Sequence, residues 1–192
     1  MAKTRDIDIR TKLHKDFLVK YGNDEDTRII DELNLCQGDA RIDVAVINGS
    51  IHGYEIKSES DNLLRLPNQI LTYSKVMDYM TLVVSYNHYE KVKDTLPDWW
   101  GIKVVINKKR SIEIKEKKRP KRNQFIDSFS LVQLLWKDEA LDILKEKKLD
   151  KGFRSKSRLE MWEQLAKTVP LNDLREAVRE KLKNRMNWRV RQ

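Results

Sequence analysis

Asp43, Glu55 and Lys57 combine the residue types that metal-dependent hydrolysis of phosphodiester bonds requires. The two acids flank Asn48-Gly49-Ser50, which is typical of the turn in a β-hairpin. Two carboxylates that face each other across a hairpin repel, and a bound divalent cation removes that repulsion. Mg²⁺ is often held by one or two carboxylates with waters and substrate phosphate, and a nearby ammonium can stabilise developing negative charge. These residues therefore predict a hydrolytic site.

The register of the hairpin decides whether these residues share one face. A three-residue loop pairs Ile47 with Ile51 and places Asp43 opposite Glu55, whereas a two-residue loop pairs Asp43 with Tyr54 and separates the acids. In the first register, one face carries Asp43, Ala45, Ile47, Ile51, Gly53, Glu55 and Lys57, and the core-facing side carries Ile42, Val44, Val46, His52, Tyr54 and Ile56. The sequence thus predicts one site under a geometric condition.

The elements around the hairpin predict a protein of the α/β class with a mixed α+β sheet. Apolar spacing indicates helices over residues 4–21, 67–79 and 88–96, strands over 41–47, 51–57 and 81–86, and a second hairpin from 102–106 and 111–115. Residues 28–35 fit either a strand or a helical turn. The charged run 115–122 indicates a linker or exposed loop, followed by helices only. We therefore expect a core over residues 1–118 and a basic helical lobe over 119–192.

The net charge of +9 is unevenly distributed along the chain. Residues 1–102 hold 13 Lys/Arg and 17 Asp/Glu, residues 103–122 hold 10 and 2, and residues 123–192 hold 16 and 11. An acidic first half followed by a basic second half suits a carboxylate site beside a surface that attracts phosphate, although a solvated basic tail is the alternative. The start of the chain does not resemble a signal peptide, and Cys36 has no partner for a disulfide. We expect a cytoplasmic protein without membrane contact.

The residues quoted above resemble the PD-(D/E)XK phosphodiesterase superfamily, in particular a small stand-alone bacterial and phage branch. The match consists of Asp43 followed by Glu55-Ile56-Lys57, with Gln69 and Tyr73 similar to the Q-x-x-x-Y element of RecB-like nucleases. It covers residues 5 to about 115, and Ile42 stands where many members have proline. The resemblance implies a restriction-endonuclease-like core with a C-terminal helical extension.

The same resemblance implies roles for individual residues. Asp43, Glu55, the carbonyl of Ile56 and, with less support, Glu32 are expected to hold Mg²⁺ or Mn²⁺. Lys57 would assist the attacking water, and Gln69 and Tyr73 would complete the catalytic set. The implied activity is that of a Mg²⁺-dependent deoxyribonuclease.

Basic side chains are expected to bind the phosphate backbone of nucleic acid, with DNA favoured over RNA. The residues expected to do so are Arg65, Lys108, Lys109, Arg110, Lys117, Lys118, Arg119, Lys121 and Arg122. Two further functions remain open: a non-catalytic nucleic-acid-binding or regulatory protein that uses its C-terminal helices, and a nuclease fold retained only as a scaffold. Residues 156–182 suit a helix-turn-helix in the first of these, and the sequence decides neither a monomer nor a homodimer.

Overall fold

A six-stranded mixed sheet forms the centre of the computed structural model, which describes residues 4–108 and 111–185. The strands are β1 (Arg28–Leu35), β2 (Ala40–Ile47), β3 (Ile51–Lys57), β4 (Tyr79–Ser85), β5 (Gly101–Lys108) and β6 (Ser111–Lys118), in that spatial order. The helices are α1 (Asp6–Tyr21), α2 (Leu66–Ser74), α3 (Tyr86–Val92), α4 (Ser128–Val132), α5 (Lys137–Glu146), α6 (Arg158–Thr168) and α7 (Leu171–Asn184). The predicted fold class, a mixed α/β protein with C-terminal helices, is confirmed.

The strand directions define two ends of the sheet. β1, β2 and β3 are antiparallel neighbours, β3, β4 and β5 run parallel, and β6 is antiparallel to β5. We call the end where β3, β4 and β5 finish the Lys57 end, and β1 finishes there too. The opposite end, where β5 begins and β6 finishes, is the Gly101 end. These directions decide which side chains can meet.

Helix α1 covers one face of the sheet. Ile9, Leu13 and Phe17, spaced one helical turn apart, are buried against a set of strand residues. That set comprises Val44, Val46, Tyr54, Ile56, Val83 and Val105. Each fully buried side chain of this size stabilises the fold by about 1.5–3 kcal/mol.

The opposite face of the sheet packs against α2, α3 and the C-terminal helices. The shared core includes Tyr73, Trp100, Met161, Trp162, Leu174 and Leu182. Arg175 of α7 forms an ion pair with the buried Asp78 at 3.3 Å. Because both faces are covered, β3 and β4 are buried along almost their whole length. The proposed boundary at residue 118 stays a prediction.

Several expected element boundaries need correction. α2 ends at Ser74 rather than near Tyr79, because Tyr79 pairs with His52 as the first residue of β4. Residues 115–118, expected in a linker, belong to β6, since Lys115 pairs with Val104 of β5. The ambiguous segment 28–35 is strand β1. In the described ranges 4–108 and 111–185, no helix is long and apolar enough to cross a membrane.

Candidate functional site

The hairpin of β2 and β3 adopts the register that brings the two acids together. Ile47 pairs with Ile51 and Val44 with Tyr54, so the three-residue loop is confirmed. Beyond Val44 the backbone pairing stops, and the Asp43 carboxylate accepts the Ile56 N–H at 2.7 Å. Asp43 and Glu55 consequently line one pocket at the Lys57 end.

Glu55 is the centre of a buried hydrogen-bond network. Its Oε1 accepts from Lys57 Nζ at 2.6 Å and from Gln69 Nε2 at 2.6 Å, and its Oε2 accepts from the Tyr73 hydroxyl at 2.7 Å. Glu55 is 2% exposed and Lys57 is 4% exposed, so this is a buried ion pair. Burial, and then the charge of Glu55, raises the pKa of Tyr73, which therefore stays a neutral donor. The structure thus brings four of the expected catalytic residues into direct contact.

Arg10 of α1 is a pocket residue that the motif comparison missed. Its guanidinium donates to the Asp43 carbonyl at 2.6 Å and lies 3.3 Å from the Asp43 carboxylate. It also forms ion pairs with Asp6 at 3.2 Å and with Asp31 and Glu32 at 3.6 Å. Burial lowers the pKa of Arg10, but the carboxylates of Asp6, Asp43 and Asp31 outweigh it and raise that pKa above its usual value. The i,i+4 spacing of Asp6 and Arg10 was the one sequence signal available.

Glu32 reaches the pocket through an irregularity in β1. Its φ of 58° lies in the left-handed region, which non-glycine residues seldom adopt. Its carboxylate forms an ion pair with Arg41 at 3.1 Å besides the one with Arg10. Ile42, expected beside Val44, instead packs in the core on the opposite face of the sheet, because side-chain alternation is interrupted beside Glu32 and Asp43. That expectation is wrong.

Burial, and then the charge of Glu55, raises the pKa of Asp43 to about 7. The pocket around Asp43 has a volume of about 380 Å³, and Arg65 and Asp61 line its rim. Among the described residues no group of three or more His, Cys, Asp or Glu side chains is arranged to hold a metal ion. Asp43, Glu55 and Ile56 nevertheless line one cavity, and two carboxylates are a donor set that Mg²⁺ accepts. The donor chemistry fits a hydrated divalent cation.

The basic residues expected to bind phosphate do not gather at this pocket. Lys118 pairs with Ile102, and the Lys121 N–H donates to the Trp99 carbonyl at 2.8 Å, so residues 117–122 lie at the Gly101 end. Lys108 finishes β5 at the Lys57 end and forms an ion pair with Glu113 at 2.6 Å. The basic residues that the sequence predicts to form one surface therefore lie at two different ends of the sheet.

The remaining residues of that expected surface differ in their surroundings. Arg65 is exposed beside the pocket, whereas Lys109 and Arg110 lie outside the described residues. Lys118 Nζ donates to the Pro97 carbonyl at 3.4 Å, and Arg119 pairs with Glu116 at 3.0 Å. Lys117, Lys121 and Arg122 are exposed.

Helix α7 is less basic on its surface than expected. The exposed side of α7 carries Asp173, Glu176 and Glu180, while Arg175 is turned inward towards Asp78. Two helices joined at Val169 and Pro170 do occupy the segment considered for a helix-turn-helix. The acidic side of α7 is unsuited to a phosphate backbone.

Comparison with known proteins places the chain among phage proteins. The family model for Bacteriophage P4 protein cII matches residues 4–192. Protein cII of Enterobacteria phage P4 is 27% identical over 170 residues, which cover 88% of this chain and 64% of that protein. This chain thus spans less than two thirds of the length of that relative. A solved structure of a protein of unknown function from Silicibacter pomeroyi is 18% identical, with a TM-score of 0.38, over 73% of this chain and 92% of that one.

These comparisons correct the family that the motifs suggested. The resemblance to the PD-(D/E)XK superfamily is wrong as an assignment, because a different family accounts for almost the whole chain. The nuclease and restriction-endonuclease-like labels that rested on this resemblance are therefore wrong as family designations, and only its phage connection agrees with the comparisons. The chain belongs to the family of Bacteriophage P4 protein cII.

Proposed function

We propose that this protein binds nucleic acid without cleaving it and has a regulatory role, with DNA the favoured partner. The observation that carries this proposal is an exposed run of basic residues at the Gly101 end, residues 117–122, which we call the basic segment. Lys117, Lys121 and Arg122 are exposed, and within residues 4–108 and 111–185 none of them forms an ion pair. Membership of a phage protein family agrees with this interpretation.

The charge of this segment suits a phosphate backbone. Residues 117–122, which form this segment, hold five Lys/Arg and no Asp/Glu. Cations that have no carboxylate partner can contact phosphate without first breaking an internal ion pair. Such contacts give affinity but carry no sequence information. Binding through this segment alone should therefore be strongly dependent on salt and weakly dependent on sequence.

The test is fluorescence anisotropy with a labelled 20-base-pair duplex over a range of salt concentrations. The triple variant Lys117→Ala/Lys121→Ala/Arg122→Ala should bind more weakly, and the slope of log K against log salt should fall by about three, one for each phosphate contact. A control, Lys137→Ala/Lys151→Ala/Lys167→Ala, removes the same charge from exposed helical and loop positions. Equal losses in the two variants would show that net charge, and not this segment, governs binding.

Metal-dependent hydrolysis of DNA is the second candidate function and stays a prediction. It is favoured by the contact of Lys57 with Glu55 in the pocket that also contains Asp43. Mg²⁺ or Mn²⁺ held there would supply a Lewis acid and an activated water. Gln69 and Tyr73 hold the Glu55 carboxylate in place, and Glu55 in turn orients the Lys57 ammonium. These residues can position a charge where a phosphate would be attacked.

Cleavage of linear and plasmid DNA with Mg²⁺ or Mn²⁺ separates the two candidates. If the pocket is catalytic, Asp43→Asn and Lys57→Gln abolish cleavage, whereas Asp39→Asn, at the exposed rim of the same pocket, retains it. Thermal melting of each variant checks that it is folded. DNA binding without metal-dependent cleavage by the wild-type protein would support the regulatory function and remove the second candidate.

A further inference from the structure

We propose that a second pocket, between the Cys36–Gly38 turn and the helices α4 and α6, binds one unstacked base of single-stranded nucleic acid. We call it the tryptophan pocket, because Trp136 and Trp162 line it. The inference rests on the proposed function, since it assumes that the protein binds nucleic acid. It adds a single-strand preference that the basic segment cannot supply.

The tryptophan pocket lies near the pocket that contains Asp43 and Glu55, which we call the carboxylate pocket. Glu32 lines the carboxylate pocket, and the next residue, Leu33, lines the tryptophan pocket. Likewise Asp39 lines the first and Gly38 the second. Successive Cα atoms are about 3.8 Å apart, so the two linings lie within one residue of each other. Both pockets therefore lie near the Lys57 end of the sheet.

The size and the apolar lining of the tryptophan pocket suit a flat, partly apolar ligand. Its volume is about 290 Å³, close to the lower limit of about 300 Å³ for small-molecule sites. Leu134 and Leu135 contribute apolar surface, and the Trp162 indole N–H donates to the Leu135 carbonyl at 3.2 Å. This bond holds the ring of Trp162 in a fixed orientation.

Arg158 supplies a cationic stacking surface. Its guanidinium lies over the Trp162 ring, 4.6 Å from the centroid, and its residue is exposed. Within the described part of the chain Arg158 has no carboxylate within ion-pair distance. A guanidinium plane can stack on a base, as bound single strands of RNA show. The face of Arg158 turned away from Trp162 can receive a base in this way.

Two glutamines give the pocket groups that can recognise the edge of a base. Gln37 and Gln133 line it, and among residues 4–108 and 111–185 neither side chain has a hydrogen-bond partner. A glutamine amide offers both donors and an acceptor, the combination that base edges require. Gln37 has a φ of 59°, an uncommon left-handed conformation that sets the direction of its Cα–Cβ bond. Among the described residues that line the pocket there is no Asp or Glu, which disfavours a metal ion.

A base can enter such a pocket only when it is unstacked. Bases of a duplex are paired and stacked inside the helix, whereas bases of a single strand can turn outwards. The ligand is therefore a single-stranded nucleic acid, and a duplex binds only through the basic segment. This difference separates the tryptophan pocket from the basic segment experimentally.

The experiment measures anisotropy with labelled twelve-residue oligothymidylate and with a twelve-base-pair duplex. Gln133→Ala/Arg158→Gln should weaken single-strand binding by at least about five-fold, the effect of losing one stacked base, and leave duplex binding unchanged. Arg154→Gln removes the same charge from an exposed loop residue outside the pocket and should change neither affinity. Oligothymidylate should also quench tryptophan fluorescence of the wild-type protein more strongly than that of the pocket variant.

The outcomes distinguish this inference from the proposed function. Unchanged single-strand affinity in the pocket variant, with duplex binding intact, overturns the tryptophan pocket and leaves the proposed function standing. Absence of binding to either probe by the wild-type protein overturns both. Each substitution is also tested singly, with thermal melting, because a loss caused by misfolding would weaken duplex binding as well.

Discussion

The carboxylate pocket and the basic segment lie at opposite ends of the same sheet, and their charged side chains differ in exposure to solvent. In the pocket, Glu55 and Lys57 are withdrawn from water and held by direct partners. At the Gly101 end, Lys117 and Lys121 face solvent and have no carboxylate partner among residues 4–108 and 111–185. A buried charge depends on its partners for stability, whereas a solvated charge remains available for an external ligand. Substitutions in the pocket should therefore affect folding, and substitutions in the segment should affect binding.

The largest effect is expected for the buried pair Glu55–Lys57. Lys57 is 4% exposed, and Glu55→Gln leaves its ammonium buried without a counter-charge. The free energy of unfolding should therefore fall by about 3–5 kcal/mol. Lys57→Met should have a similar effect, because Glu55 then keeps its charge but loses a donor 2.6 Å away. Urea denaturation monitored by circular dichroism measures both values.

The double variant Glu55→Gln/Lys57→Met shows whether the two effects have one cause. Because it removes both charges, it should lose clearly less stability than the sum of the single variants. Simple additivity would mean that the two side chains stabilise the fold independently, and the contrast with the basic segment would then lose its electrostatic explanation.

A smaller effect is expected for Arg10, which neutralises the rim of the pocket. Arg10→Met removes the charged donor to Asp43 and leaves Asp6, Asp31 and Glu32 without this counter-charge. The free energy of unfolding should fall by about 1–3 kcal/mol. Arg5→Met, at the N-cap of the same helix, should cost less, because the Arg5 side chain is 73% exposed and forms a surface ion pair with Asp8.

Arg10→Met also shows whether the acidic rim responds to a divalent cation. If Mg²⁺ can replace the arginine as counter-charge, millimolar MgCl₂ should raise the melting temperature of this variant more than that of the wild type. Equal responses in both proteins at matched ionic strength would mean that Arg10 does not compete with a cation.

The parts of the site that follow from local rules could be predicted from the sequence. The Asn48-Gly49-Ser50 turn predicted the hairpin of β2 and β3 and limited it to two registers, and the structure has the one with the three-residue loop. The spacing of Gln69 and Tyr73 likewise predicted that both lie on one side of α2, and both contact Glu55.

Features that depend on tertiary contacts could not be predicted in the same way. Arg10 reaches Asp43 only because α1 packs on this face of the sheet, and a charge 33 residues away gives no local signal. The uneven charge along the chain favours a phosphate-attracting surface beside the carboxylates, but it does not determine where residues 117–122 lie. Their true position depends on the direction of β6, which composition does not determine. The left-handed Glu32, which redirects Ile42, has no signal in residue type, since glutamate seldom adopts that conformation.

The smallest effect on stability is expected for the basic segment. Lys117→Ala/Lys121→Ala/Arg122→Ala removes three exposed cations without ion-pair partners among the described residues, so the free energy of unfolding should change by less than about 0.5 kcal/mol for each. Because the chain carries a net charge of +9, reduced repulsion can even stabilise it slightly at low salt. Urea midpoints at low and high salt measure this difference, which salt should abolish. A loss comparable to that of Arg10→Met would mean that these side chains support the fold, and the opposition between the two ends of the sheet would not hold.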